Sequence, residues 1–172
     1  MCPPQVRMRP NLRQTGFTFI ELMITLTIFG LLSTMAVPSL RSFILNNRMS
    51  AYTSDLVHSL ALARTEAIKR AVPIQVCASS DASTCSDNGD WSQGWIIRTL
   101  DGDIIQSLPA LNEQSSLNAG AASLTFQANG YLQGTGTQFN LCDDRGTPDA
   151  KVIQVNALGR AYQDASLTAS CP

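Results

Sequence analysis

The 172 residues suit one domain plus a membrane segment, and part of the 44 % hydrophobic content sits in one N-terminal apolar run. A formal charge of −1 hides an asymmetry: from Val72 to Pro172 the basic residues Arg98, Arg145, Lys151 and Arg160 stand against ten acidic ones, a balance of −6 that bulk nucleic acid repels. No low-complexity tract, phosphate-binding glycine loop, metal-ligand cluster or activated nucleophile appears, so catalysis has little support.

The stub from Met1 to Thr15 holds Arg7, Arg9 and Arg13 and no acidic residue, which keeps it cytoplasmic by the positive-inside rule and sends the remainder outward. An apolar run follows. Leu22 to Val37 supplies 16 residues and Phe17 to Leu40 supplies 24, close to the roughly 20 that a span needs. The fifth residue of the longer segment is Glu21. A carboxylate there costs about 2.5–3.5 kcal/mol in a bilayer unless something neutralises it, so Glu21 needs a partner. Two other readings compete: a plain signal anchor, and a secretory signal cleaved after Thr34-Met35-Ala36. Pro38 beyond that site and a glutamate within the apolar region both count against cleavage there.

The segment from Gly16 to Pro38 resembles a type IV prepilin or pseudopilin leader. The resemblance rests on Gly16-Phe17-Thr18-Phe19-Ile20-Glu21, the apolar run, Gly30 and Pro38, all in one register. It implies that a prepilin peptidase cuts after Gly16, that the new N-terminal Phe17 is N-methylated, and that the helix is retained. Gly30 and Pro38 would weaken that helix. Physical reasoning agrees. The Phe17 amine exposed by cleavage is largely protonated near neutral pH, and Glu21 of an adjacent subunit can neutralise it in an apolar phase. The pair then sets axial register, and a repeated head-to-tail contact of this kind builds a helical filament.

Of the five cysteines, Cys2 falls in the leader; Cys77, Cys85, Cys142 and Cys171 remain on the outward side and read as two disulfides. Three connectivities are open. Cys77 to Cys85 with Cys142 to Cys171 is favoured because both closures are local, and the second would staple the tail to a strand. A zinc site is the rival, but neither pair has tight ligand spacing and the one histidine, His58, lies in a helical stretch.

From Arg41 to Ala71, Met49, Tyr52, Leu56, Leu60, Ala63 and Ala67 recur every three or four residues, one stripe of an amphipathic helix. Joined to the apolar run it predicts a helix of about 55 residues and roughly 80 Å. Its first half must be buried in something other than its own head, with membrane and then neighbouring subunits the obvious cover. Beyond Pro73 the pattern predicts strands over Ile74–Ala78, Trp95–Leu100, Ile104–Leu108, Ser123–Gln127, Thr137–Cys142 and Val152–Asn156. Asp101-Gly102 predicts a two-residue hairpin and Asn129-Gly130 another turn, while 118–122 and 134–136 read as loops. The expected fold is α+β: a long N-terminal helix, membrane-spanning then amphipathic, packed on an antiparallel β-sheet head.

The head is similar to the GspH/FimT group of minor pilins and pseudopilins. The motifs that carry this are Leu62-Ala63-Arg64-Thr65-Glu66-Ala67-Ile68-Lys69-Arg70 leading to the Cys77 strand, Trp91-x-x-Gly94-Trp95, Leu124-Thr125-Phe126-x-x-x-Gly130 and Leu158-Gly159-Arg160. The resemblance implies a leader over 1–16, a transmembrane and assembly helix over 17–40, an amphipathic helix over 41–71 and a periplasmic β-rich head over 72–172. It also implies a single-pass protein of the bacterial inner membrane that later enters a type IV pilus or type II secretion pseudopilus, helping to initiate or cap it. The implied partners are other minor and major pilins or pseudopilins, the prepilin peptidase, an inner-membrane assembly platform and, before assembly, lipid. No cofactor, metal or catalytic residue is expected.

Some side chains carry competing readings. Trp91 and Trp95 read as core anchors rather than a binding surface. Asp87-Asn88-Gly89-Asp90 reads as a solvated turn rather than a calcium loop, because it lacks alternating ligands. His58 reads as structural, and Arg64, Glu66, Lys69 and Arg70 as a charged helix face with some role in subunit contacts. The alternative function is DNA binding for natural transformation, since some relatives bind DNA around a C-terminal Gly-Arg-x-Arg motif. Here the stretch is Gly159-Arg160-Ala161-Tyr162, without the second arginine, so DNA is a weak candidate partner that would need Arg160, Lys151 and Arg145 on one surface.

Processing is expected to remove 16 residues and leave methylated Phe17. Intact-mass analysis of the mature protein checks this, and an N-terminus at Val37 would instead establish conventional secretion.

Overall fold

The computed structural model describes residues 16–171; Cys2, Arg7, Arg9 and Arg13 of the stub lie outside the described residues. The chain divides into two compact units, one ending at Ser42 and one beginning at Phe43, and the helix α1, Phe19–Arg70, contributes to both. Its 52 residues fall slightly short of the expected length, and each end has a local cause. The Thr18 hydroxyl oxygen accepts the Glu21 N–H at 3.3 Å and the Thr18 carbonyl accepts the Leu22 N–H at 3.1 Å, which makes Thr18 the N-cap. At the far end Ala71 adopts the left-handed conformation at φ 56° and Pro73 follows, so the last turn cannot propagate.

In the first unit the apolar side chains from Phe17 to Leu40 are exposed, and among the described residues α1 holds the one helix stretch long and apolar enough to cross a membrane. Four of its hydroxyls are internally satisfied. Thr25, Thr27, Ser33 and Thr34 donate to the carbonyls of Leu22, Met23, Phe29 and Leu31 at 2.9, 2.8, 2.7 and 2.8 Å. A polar group hidden this way can enter hydrocarbon without leaving a bare donor. The helix continues unbroken past Gly30 and Pro38.

In the second unit α1 buries Leu45, Met49, Thr53, Leu56, Leu60, Ala63 and Ala67, steps of three and four that extend the expected stripe by one turn. Thr53 joins this apolar face because its hydroxyl donates to the Met49 carbonyl at 2.8 Å. Two four-stranded antiparallel sheets complete the core. The first holds β1 (Ile74–Ala78), β2 (Trp95–Thr99), β3 (Ile104–Leu108) and β5 (Ser123–Phe126) in the order β3-β2-β1-β5. The second holds β4 (Ser115–Ala119), β6 (Thr137–Asp143), β7 (Lys151–Val155) and β8 (Ala161–Gln163) in the order β4-β6-β7-β8.

The helix stripe packs with Ile74, Val76, Ile97, Phe126, Phe139, Leu141, Ile153 and Val155 from both sheets. Each such large side chain, once fully buried, contributes about 1.5–3 kcal/mol. Trp91 lies wholly inside: its ring meets Phe139 edge-on at 4.9 Å, and its indole N–H donates to the Ala121 carbonyl at 3.0 Å. Trp95 is also core.

Three expectations about the head need correction. β4 takes Asn118 and Ala119 out of the expected loop, because pairing to β6 (Leu117 with Leu141, Asn118 with Asn140) supplies what the polar sequence Ser115-Ser116-Leu117-Asn118-Ala119 does not advertise. β8, formed on the edge by Ala161, Tyr162 and Gln163, was not expected as a strand. The β2–β3 hairpin has three turn residues, Leu100-Asp101-Gly102: Thr99 donates to the Asp103 carbonyl at 2.9 Å and Gly102 to the Thr99 carbonyl at 3.2 Å. Gly102 sits at φ 106°, so the glycine serves a bulged turn rather than a two-residue one.

Cys77 is bonded to Cys85 and Cys142 to Cys171, at sequence separations of 8 and 29. Loop-closure entropy then predicts unequal effects, about 2.5 kcal/mol for the first bond and about 3.5 kcal/mol for the second. Thermal unfolding of the Cys77→Ser/Cys85→Ser and Cys142→Ser/Cys171→Ser proteins checks the order, and a larger loss from the first pair would contradict it.

Candidate functional site

The N-terminal end of the described chain combines three features: Phe17 outside the helix, Glu21 in its first turn, and an uninterrupted apolar surface beyond. Thr18 organises them. By accepting the Glu21 N–H it fixes where the helix starts, so Glu21 stands at the third helical position and Phe17 remains one residue before the cap. A carboxylate there is also favoured by the helix dipole, since the first turn presents unpaired N–H groups. The spacing Thr18-x-x-Glu21 is the sequence pattern of a capping box, a signal in the sequence that the expectations above did not use.

In the head, Arg145 is held from several sides. It meets Asp143 through Nε at 3.0 and 3.2 Å and through an Nη at 2.6 Å, Asp149 at 3.2 Å, and the Asn46 side chain of α1 at 2.8 Å. Burial alone would push the Asp143 carboxyl up, but the hydrogen bonds and charge of Arg145, with a smaller pull from Arg48, hold it below the ordinary carboxylate range. The same contact with Asp143 raises Arg145. Lys151 donates to the Ser50 hydroxyl at 2.8 Å, and burial, then the neighbouring Arg145 charge, lowers its pKa. These residues clamp the sheet to Asn46 and Ser50, two polar helix positions that no periodicity argument singles out.

Arg160 lies elsewhere. It lines a cavity of about 250 Å³ with Ala61, Arg64, Thr65, Gly159 and Ala161. Helix positions 61–65 are at least 11 residues beyond Ser50, roughly 16 Å along the axis. The structure therefore brings Arg145 and Lys151 together and leaves Arg160 apart. Of the charged helix face, Glu66 is buried and bonded by Arg70 at 2.5 Å and by Lys69 at 3.5 Å. The Arg70 hydrogen bond is the main reason that its carboxyl stays low.

The turn over 87–90 uses two of its oxygens locally: Asn88 accepts from the Ser86 hydroxyl at 2.9 Å and the Asp90 N–H at 3.1 Å, and Asp90 accepts the Ser92 N–H at 2.9 Å. Among the described residues no group of three or more His, Cys, Asp or Glu side chains could hold a metal ion.

The Asp143 clamp has a pH signature. A carboxyl depressed in the folded state contributes stability that is complete above its unfolded pKa near ~3.9 and lost as pH falls through the folded value. Asp143→Asn is expected to destabilise by about 1–3 kcal/mol at neutral pH, with the gap to the parent closing only below about pH 4. Chemical denaturation from pH 7 to 2 measures it; a gap that widened in acid would contradict the assignment.

Residues 53–159 match the family described as "Type II transport protein GspH", and residues 11–37 match the prokaryotic N-terminal methylation motif. Among solved structures, the chain is similar to the type IV minor pilin FimU of Pseudomonas aeruginosa strain PAO1. The identity is 24 % and the TM-score 0.62, over 73 % of this chain and 96 % of that one. It is also similar to the minor pseudopilin EpsH from the type 2 secretion system of Vibrio cholerae, at 16 % identity and a TM-score of 0.50 over 69 % of this chain and 98 % of that one. At these identities the two likenesses establish a shared fold. No curated protein sequence matches the chain. The family match spans more than half of the sequence, and with the methylation motif over the start of an exposed apolar helix it fixes the assignment: the chain belongs to the GspH family, and it is a pilin-type structural subunit rather than an enzyme.

Proposed function

We propose that this subunit is cut after Gly16, methylated on Phe17, and joins a small complex that starts or caps filament growth. The observation that carries the proposal is the uncovered apolar surface from Phe17 to Leu40 with one carboxylate, Glu21, near its start. Lipid can cover that surface but cannot neutralise Glu21. The ammonium group of a neighbouring subunit's first residue can, and it does so at one axial offset only. The helix therefore moves from membrane to filament by exchanging one apolar environment for another while gaining a counter-charge.

On this reading 17–40 is the membrane and assembly segment, and the disulfide-bearing head faces an oxidising compartment, the periplasm. Working partners are pilins or pseudopilins that carry the same leader, the prepilin peptidase and an inner-membrane platform. A DNA-uptake role has weaker support, because Arg145 and Lys151 are engaged with Asp143, Asp149, Asn46 and Ser50.

Glu21→Leu is expected to insert in the membrane at least as well as the parent, because it removes a carboxylate that costs about 2.5–3.5 kcal/mol there, yet to be depleted from sheared filaments. Normal incorporation would refute the registry role. Initiation is tested separately by deleting the gene and counting filaments per cell: few filaments of ordinary length support it, and an unchanged number overturns it.

A further inference from the structure

The cavity beside Arg160 is more than a gap between α1 and the second sheet. Its lining includes two arginines, Arg64 and Arg160, and among the described residues neither side chain makes a hydrogen bond or an ion pair. The other arginines near α1 behave differently: Arg70 is paired to Glu66 and Arg145 to Asp143. Arg64 Nε is buried and has no acceptor. The Thr65 hydroxyl donates to the Ala61 carbonyl at 2.8 Å, which leaves the guanidiniums as the charged donors of the cavity.

Two glycine turns hold Arg64 in place. A Cβ on Gly130, at φ 80°, would lie 2.6 Å from Ile68 Cδ1 and 3.2 Å from Arg64 Nε, and Gly159 in turn packs on the Gly130 carbonyl. This places Gly130 against the arginine of the Leu62–Arg70 motif and Gly159, from a separate head motif, behind Gly130. Around them Ile68, Tyr131 and Leu158 are each about half exposed. Two unpaired arginines lining one cavity of about 250 Å³ carry like charges that an anion between them would relieve, and a planar fork of N–H groups matches a carboxylate.

We infer that the Arg64–Arg160 cavity is a docking site for an aspartate or glutamate side chain on the head of a neighbouring pilin subunit. The inference rests on the filament-subunit reading above. The apolar rim favours a protein surface, since Ile68, Tyr131 and Leu158 offer area to bury around a central ion pair. The acidic balance of residues 72–172 disfavours a polyanion, which would meet ten carboxylates for every approach to Arg160.

The test uses the full-length chain in its own cells, with the photo-cross-linker p-benzoylphenylalanine in place of Ala61 on the cavity wall. Irradiation should capture another pilin subunit. Arg64→Gln/Arg160→Gln should reduce that product about tenfold, the loss expected for one interfacial ion pair, with processing and both disulfides intact. Arg160→Gln alone, at an exposed position, keeps the result readable if the double variant folds poorly. Reversal by Arg160→Glu, rescued by lysine at the captured acidic position, would identify the partner carboxylate. Capture unchanged in the double variant overturns the inference. So does the absence of any pilin cross-link from a parent that is present in sheared filaments, a result that leaves the filament reading standing. A parent absent from filaments altogether overturns both. Binding of labelled duplex that disappears with Arg160→Gln, in place of pilin capture, reassigns the cavity to nucleic acid.

Discussion

One helix has to satisfy two solvents. From Leu45 to Ala67 a buried stripe steps by three and four, flanked by Ser59 and Glu66, so that one face meets two sheets, whereas from Phe19 to Leu40 apolar side chains are exposed on every side. The difference is chemical before it is architectural. A stripe suffices where one face packs and the other meets water, but hydrocarbon surrounds a helix completely and requires every face to be apolar. The remaining features follow from this division. Hydroxyls in the first half turn back to their own carbonyls, and polar positions in the second half, such as Asn46 and Ser50, reach across to Arg145 and Lys151.

The one charged exception in the apolar half is Glu21, and on the proposed assembly role it is the reason that the first half is more than an anchor. A membrane anchor gains nothing from a carboxylate, and a few kcal/mol of insertion free energy argue for its removal. An assembly signal needs such a group because dispersion and apolar contact have little directional preference: an all-apolar helix can slide along its neighbour by a residue or two at small cost. A single ion pair in a medium of low dielectric defines one offset. Thr18 adds precision at the level of backbone, because the cap fixes both the first helical residue and the orientation of the turn that carries Glu21.

Much of this was legible in the sequence, since the relevant signals are local. Six apolar residues at helical spacing predicted the packed stripe, whereas the helix start went unread although Thr18-x-x-Glu21 carries the pattern of its cap. Strands with alternating or continuous apolar character, such as Ile74–Ala78, were also visible. What escaped detection depends on partners distant in the chain. β4 is polar and becomes a strand because β6 lies beside it, and β8 is three residues at an edge whose pairing to β7 defines it. The length of the β2–β3 turn was misread because Asp-Gly serves two-residue and bulged three-residue hairpins alike, and the backbone bond from Thr99 to Asp103 decides between them. The separation of Arg160 from Arg145 and Lys151 could not be read from their order either. They stand at different ends of strands in one sheet, and only the topology says which ends meet.

The bond between Cys142 and Cys171 bears on how the head carries load. In the proposed filament, tension would enter the head through α1, and a β-sheet gives way most easily when a terminal strand is peeled from its edge one hydrogen bond at a time. β8 is such an edge strand and the last strand among the described residues. With Cys171 tied back to β6, however, β7 and β8 lie inside a closed covalent loop, and the chain beyond β8 has no loose end by which they can be unzipped. Pulling on the tail instead loads β6, the strand held on both sides by β4 and β7. The edge strand is thereby relieved, and the tail yields only when an interior strand, hydrogen-bonded along both of its sides, gives way.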